Sequence, residues 1–225
     1  MSVIVTVTGG SGSGKSTLVR KLVETGDFAE IVSTTTRQPR VGEVNGQHYH
    51  FVTPEEFEKT ELLEKIAYNG CLYGASVEEF DNAFKSGKTP IIVVDPSGMA
   101  QINRFLKNTD KKTNGVPWTA MNVFVNCPPH IQYQRLLDRM LNDYRKIIAM
   151  GDTISYSNFM KEYVGRFTQV GGTEREWLDI FIDQCTDLFM HLPVFDRDNE
   201  QMAMDELNRL LSKEKQAKEE YYNGN

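Results

Sequence analysis

Val3-Ile-Val-Thr-Val-Thr8 runs straight into Gly9-Gly10-Ser11-Gly12-Ser13-Gly14-Lys15-Ser16-Thr17. An apolar strand pattern is followed by G-x-x-x-x-G-K-[ST] and then by a helical pattern, the context in which this motif is a phosphate-binding loop. Its glycines let successive backbone N–H groups turn inward on an anion, Lys15 adds a point charge, and the Ser16 hydroxyl suits magnesium. The first ligand expected is therefore a nucleoside triphosphate, cradled by residues 9–17. A Gly/Ser turn with a surface lysine would need neither the strand before it nor the helix after it.

Outward from the loop, residues 3–8, 89–95 and 121–126 read as short strands buried on both faces, and a fourth is expected over 189–195. Helical spacing separates them over 16–25, 98–108 and 130–144, with a last helix over 199–212. Near-continuous aliphatic strands alternating with helices predict an α/β fold built on a parallel sheet covered on both faces. Residues 33–88 differ in character, being rich in Thr, Gly, Tyr and Glu and broken by Pro39 and Pro54. Alternation around 48–52 predicts short strands of a half-exposed sheet. An insertion leaving the carboxyl end of the first strands would fold over the phosphate loop, where a second substrate would bind.

The chain has 225 residues, 40% of them hydrophobic and 25% charged, enough for one sizeable core with inserted segments. Its 25 basic and 31 acidic residues leave a net charge of −6, which excludes broad electrostatic attraction to nucleic acid or anionic membrane. Anions must be gripped by local clusters. Cys71, Cys127 and Cys185 are widely spaced and fit buried free thiols in a reducing compartment. The first apolar run is too short for a signal peptide or a membrane span, so a cytoplasmic protein is expected. His48, His50, His130 and His191 lack the spacing of metal ligands.

Within the insertion, Ser33-Thr-Thr-Thr-Arg37-Gln-Pro-Arg40-Val-Gly-Glu43-Val-Asn-Gly-Gln-His-Tyr49-His-Phe51 is the densest group of anion-binding side chains. Arg37 and Arg40 flank a stiffening proline, and two guanidiniums with Ser and Tyr hydroxyls suit a dianionic monophosphate. Asp95 ends an apolar run, Ile91-Ile-Val-Val-Asp95, where a buried carboxylate needs a partner, either a substrate amine or hydrated magnesium. Glu64, in Glu61-Leu-Leu-Glu64-Lys, reads by itself as a solvated charge on a helix face. Arg135-Leu-Leu-Asp-Arg139 places two guanidiniums on one helix face after Pro128-Pro129.

The phosphate loop, the Ser-x-x-x-Arg-x-Pro-Arg-x-Gly-Glu-x-x-Gly-x-x-Tyr-x-Phe run and Tyr73-Gly74 together resemble guanylate kinases over most of residues 3–139. The resemblance implies a P-loop NTPase-type sheet flanked by helices, with a core of 1–32, 89–139 and 167–212. A monophosphate-binding insertion would span 33–88, a helical lid 140–166, and a charged tail 213–225. It assigns Ser33, Arg37, Arg40, Tyr49 and Tyr73 to the phosphate of GMP, and Glu64 and Asp95 to guanine. Arg135 and Arg139, with Arg166 from the returning helix, would meet the triphosphate. The implied reaction passes the γ-phosphoryl group of ATP, with Mg2+ held through Ser16, to GMP or dGMP as free nucleotides.

Some positions depart from the family's pattern. Ala75 stands where a hydroxyl usually follows Tyr-Gly, with Ser76 able to substitute only by a backbone shift. Val93 stands two residues before Asp95 where an acid is common, and Val194-Phe-Asp196-Arg-Asp198 replaces Val-x-Asn-Asp, which bears on adenine recognition. The missing contact admits another deoxynucleotide or a modified base as acceptor, and the fold also occurs as a noncatalytic interaction domain. Residues 140–163 exceed the usual lid and carry Tyr144, Met150, Tyr156, Phe159 and Met160. An enlarged lid, a self-association surface giving a homodimer, and plain helix packing all account for these side chains.

Overall fold

The computed structural model describes residues 2–39, 43–68 and 70–150, together with 159, 163–168, 170, 205, 208, 209, 212, 213 and 216. In chain order the elements are β1 (Ser2–Thr8), α1 (Lys15–Glu24), β2 (Phe28–Glu30), β3 (Thr34–Thr35) and β4 (His50–Phe51). They continue with α2 (Pro54–Lys59), β5 (Leu62–Tyr68), β6 (Cys71–Ser76), α3 (Val77–Lys85) and β7 (Thr89–Val93). The last are α4 (Pro96–Asn108), β8 (Lys112–Thr113), β9 (Val116–Phe124) and α5 (Pro129–Met150).

The main sheet has the order β2-β7-β1-β9-β8. β1 pairs in parallel with β7 and β9, β2 pairs in parallel with β7, and β8 runs antiparallel to its neighbour. Alternation along β1 sends successive side chains to opposite faces, both of them covered. Val3, Val5 and Val7 pack with Leu18, Val19 and Leu22 of α1. Ile4 points the other way, into a core shared with Ile92, Met99, Ile102, Phe80 and Trp118. Thr6 and Thr8 are buried, and their hydroxyls donate to Asn122 Oδ1 at 2.7 Å and to the Val94 carbonyl at 3.1 Å.

Between β2 and β7 the chain builds a second sheet, β4-β3-β6-β5, around short strands of the kind expected near 48–52. β3 runs parallel to β4 and antiparallel to β6, and β5 forms an antiparallel hairpin with β6. Thr53 caps α2 through a reciprocal pair with Glu56, and Ser76 caps α3 by accepting from the Glu79 N–H. Lys65 N donates to Gln101 Oε1 at 3.0 Å, tying β5 to α4 of the core.

Three local expectations change. β9 starts at Val116 instead of 121, because it pairs with β1 from Trp118 beside Ser2 to Phe124 beside Thr8. The strand that reads as 89–95 ends at Val93, and Asp95 becomes the N-cap of α4 by accepting from Gly98 N at 2.7 Å. Glu64 lies on strand β5, not on a helix, and is 6% exposed. A register shift between Leu62 and Glu64 opposite Ser76 and Ala75 inserts one extra residue, which lets Leu63 and Glu64 both be buried.

α5 continues without a break past residue 140 to Met150. Tyr144 packs on Phe159, Phe159 on Tyr163, Tyr163 on Phe167, and Phe167 stacks on Tyr133, so these rings staple the returning segment 163–168 to α5. Of the side chains singled out above, Tyr144 and Phe159 thus take part in helix packing. Tyr156, Met160, Cys185, His191, Val194 through Asp198 and the strand expected over 189–195 lie outside the described residues. Of the helix expected over 199–212, residues 205, 208, 209 and 212 are described, and they are helical.

Candidate active site

The carboxyl ends of β1, β7 and β9 lie side by side, and each delivers part of the site. β1 leads into the glycine loop, whose Gly9 and Gly12 stand at φ 149° and 79°. A Cβ on Gly9 would sit 2.5 Å from the Val125 carbonyl, and one on Gly12 would sit 2.9 Å from the Gln132 carbonyl. Only glycine lets the loop nest between β9's exit and α5. Lys15 opens α1 and curls back, its Nζ donating to the carbonyls of Gly9 at 2.7 Å and Gly10 at 2.6 Å. Ser16 and Thr17 are exposed on the first turn of α1, while Ser13 Oγ is buried and has no hydrogen-bond partner among the described residues.

Arg135 reaches this loop from α5. Its Nη1 donates to the carbonyls of Gly12 at 3.1 Å and Ser13 at 3.3 Å, with Cys127 Sγ at 3.7 Å. Holding these two oxygens fixes their peptide planes and hence the direction of the N–H groups on the far side, and a guanidinium does this while adding positive charge to the rim. Arg139, one turn on, is exposed, and Arg166 lies 5.9 Å over the Tyr163 ring. Both cations flank Tyr163, whose hydroxyl donates to Asp143 Oδ2 at 2.6 Å. Burial and that bond hold the Tyr163 phenol far above its ordinary pKa, so it stays a donor. Tyr163→Phe should lower stability by about 1.5–3 kcal/mol, the worth of a hydrogen bond to a charged group. Urea denaturation at neutral pH measures it.

The second sheet supplies a separate cluster. The Thr35 hydroxyl donates to the Leu72 carbonyl at 2.9 Å and accepts from Arg37 N at 3.1 Å, turning the chain as it leaves β3. Arg37 then forks onto Glu43, Nη1 to Oε2 at 2.9 Å and Nη2 to Oε1 at 2.8 Å, and Nη1 also donates to the Gln38 carbonyl at 2.8 Å. Its guanidinium lies 5.4 Å from the Tyr49 ring centre and 5.6 Å from that of Phe51, and Tyr49 meets Tyr73 edge-on at 5.9 Å. Ser33 adjoins them, its carbonyl accepting from His50 N at 2.9 Å. Thus Arg37, Tyr49 and Tyr73 converge, with the Ser33 backbone bonded to the neighbouring His50, whereas Arg40 lies outside the described residues.

Pairing of Ile66 with Tyr73 and of Glu64 with Ala75 puts all four on one face of the hairpin. Glu64 therefore shares a face with the phosphate-type cluster and leans toward the core, its Oε2 lying 3.5 Å from where a Cβ of Gly98 would stand. Asp95 caps the same turn of α4. Burial, reinforced by the neighbouring Asp95 charge and opposed by a hydrogen bond from the Ala75 backbone, pushes the Glu64 carboxyl up to about 7. The Ser76 hydroxyl caps α3, accepting from Glu79 N at 3.3 Å, which anchors it at the start of that helix.

The glycine loop thus follows β1, Asp95 follows the neighbouring β7 with Glu64 beside it, and the arginine–tyrosine cluster shares the hairpin face of Glu64. Residues 1–170 match the family model described as Guanylate kinase. The chain belongs to the guanylate kinase family. It is 33% identical over 161 residues to a guanylate kinase of a Shewanella strain, covering 68% of this chain and 72% of that one. With the guanylate kinase of Sulfurimonas denitrificans it shares 33% over 150 residues, 64% and 68% of the two chains. A Chlamydia felis guanylate kinase is 45% identical over 101 residues, 42% of this chain and 50% of that protein's length. The fold matches the crystal structure of guanylate kinase from Anaplasma phagocytophilum with a TM-score of 0.56 at 18% identity, covering 94% and 85% of the chains.

Glu43 and Gly98 carry no role in the sequence reading. For Glu43 the signal lay in the Arg-x-Gly-Glu run itself, since a carboxylate six residues beyond Arg37 and across a proline returns to it. For Gly98 nothing in the sequence marks the approach of Glu64.

Proposed function

We propose that the chain transfers the γ-phosphoryl group of ATP to GMP or dGMP. The observation that carries this is the convergence of Glu64 and Asp95 at the head of α4, on the face that also bears Tyr73. Guanine presents N1–H and the N2 amino group as adjacent donors, which the two oxygens of an acceptor-only carboxylate match. Ala75 is fully buried and brings no hydroxyl, so the two acids read the base without that contact.

The reaction needs two phosphates end to end and no covalent intermediate, so the chain's work is alignment and charge neutralisation. In this reading Lys15 leaves its two carbonyls for the β- and γ-phosphates, and Arg135 holds the loop that donates to them. Arg139 and Arg166 neutralise charge from the lid side. Arg37, with Tyr49, Tyr73, Ser33 and Arg40, holds the acceptor phosphate. Exposed Ser16 at the start of α1 and the buried Ser13 hydroxyl are oxygens that fit a metal–triphosphate. Magnesium bound with ATP supplies further neutralisation of the triphosphate oxygens. Among the described residues no helix is long and apolar enough to cross a membrane, and Cys71 and Cys127 are free thiols, consistent with a cytoplasmic enzyme of free nucleotides.

A coupled assay of ADP release tests the acceptor. GMP and dGMP should each exceed AMP, CMP and dTMP by at least about tenfold in kcat/KM, the discrimination expected from about 1.4 kcal/mol or more of unmatched polar contact. Preference for dTMP, or for a modified pyrimidine, would remove the role given to Glu64.

A further inference from the structure

We infer that Glu43 is a positioning residue for the acceptor phosphate, acting through Arg37. This rests on the proposed function of the Arg37 cluster. A guanidinium carries five N–H donors in a rigid plane. Three of them are spoken for inside the protein: one Nη1–H and one Nη2–H on the two oxygens of Glu43, and the second Nη1–H on the Gln38 carbonyl. Neither Glu43 nor Gln38 takes Nε–H or the second Nη2–H, a coplanar pair on the adjoining edge whose spacing suits two oxygens of one phosphate. The Tyr73 hydroxyl is the neutral group that also bonds this guanidinium, and a neutral hydroxyl exchanges for a dianion at little cost.

The pair is built to keep one orientation. Side-chain exposure is 16% for Arg37 and 17% for Glu43, and Tyr49 and Phe51 pack against the guanidinium. A single hydrogen bond would let the plane swing about its axis, whereas a fork at 2.8 and 2.9 Å does not. Glu43 also raises the Arg37 pKa, so the cation persists at any working pH. The carboxylate therefore fixes which edge of Arg37 faces a ligand, and the Gln38 carbonyl behind Nη1 completes the brace.

Glu43→Gln keeps the shape and loses the charge, and its amide NH2 presents a donor to a donor. It should weaken GMP binding, read by calorimetry and as KM, at least tenfold, leaving the KM for ATP and kcat within twofold. Glu43→Asp, which retains the carboxylate, should recover part of that loss. In an Arg37→Ala background Glu43→Gln should change GMP affinity less than twofold, because the guanidinium through which it acts is gone. Unchanged or tighter GMP binding by folded Glu43→Gln, or losses that multiply with Arg37→Ala, would overturn the inference. Should wild-type protein bind ATP but not GMP, the acceptor assignment and this inference fall together; wild-type binding with an indifferent Glu43 fells this inference alone.

Discussion

Lys15→Met lowers kcat by about a thousandfold or more while the chain remains folded. The lysine Nζ bonds two loop carbonyls at 2.6 and 2.7 Å before any ligand arrives, so the substitution has a structural cost as well as a chemical one. Each bond to a charged group is worth about 1.5–3 kcal/mol, yet methionine keeps the length of the stem and the carbonyls turn to water. A domain with a stability of about 5–15 kcal/mol survives such a loss. The transition state has no substitute for the charge. Removing one preorganised cationic contact from a water-poor phosphoryl-transfer site costs about 4 kcal/mol, hence the thousandfold. Circular dichroism should show the fold intact, and stopped-time assays of ADP the loss of turnover. A variant that turns over at the wild-type rate would remove the glycine loop from the chemistry.

The core was readable because a strand buried on both faces must be apolar nearly throughout. Val3 to Val7 meets α1 on one side and Ile4's cluster on the other, and only a central strand satisfies both. Likewise the loop glycines are dictated by the approach of Val125 and Gln132. Sequence reasoning lost accuracy where tertiary contacts override local pattern. Leu62-Leu63-Glu64-Lys65 fits a helix face as well as a strand until the bulge opposite Ser76 and Ala75 turns both Leu63 and Glu64 inward. Asp95 reads as the end of a strand because its neighbours are aliphatic, but Pro96 at the first helical position and the Gly98 N–H make it a cap. The fork of Arg37 on Glu43 was the least legible feature. It depends on a turn set by the Thr35 hydroxyl and on two aromatic rings, Tyr49 and Phe51, from another part of the insertion.

Glu64→Gln raises the GMP KM at pH 8 by about a hundredfold and removes most of its pH dependence. Two charge-assisted bonds to guanine at about 1.5–3 kcal/mol each exceed the roughly 2.7 kcal/mol that a hundredfold requires, and glutamine offers a donor where the base also donates. The pH dependence follows from the Glu64 carboxyl standing at about 7 in the unliganded protein. Guanine needs the ionised form, so binding must first displace a proton below that pH. Affinity then falls about tenfold between pH 8 and pH 6, by the fraction of carboxylate ionised. The substrate's own phosphate, with a second pKa near 6, contributes only about twofold over the same range. Glu64 is the larger effect, and Glu64→Gln should leave the smaller slope alone.

Linkage gives an independent check on the same group without any ligand. A carboxyl raised from 4.5 to about 7 on folding binds more protons folded than unfolded, so its contribution is complete below about pH 4.5 and is lost as pH rises through 7. The loss amounts to roughly 3 kcal/mol, because every tenfold gain in proton affinity on folding is worth about 1.4 kcal/mol and Glu64 has little solvent to screen it. At pH 8 the neutral Glu64→Gln should therefore be more stable to urea than the wild type, although it binds GMP far less well. At pH 5 the two should nearly coincide. A Glu64→Gln variant less stable than wild type at pH 8 would mean that the carboxylate is compensated within the empty site, and burial beside Asp95 would no longer account for its recruitment of a guanine-type donor pair.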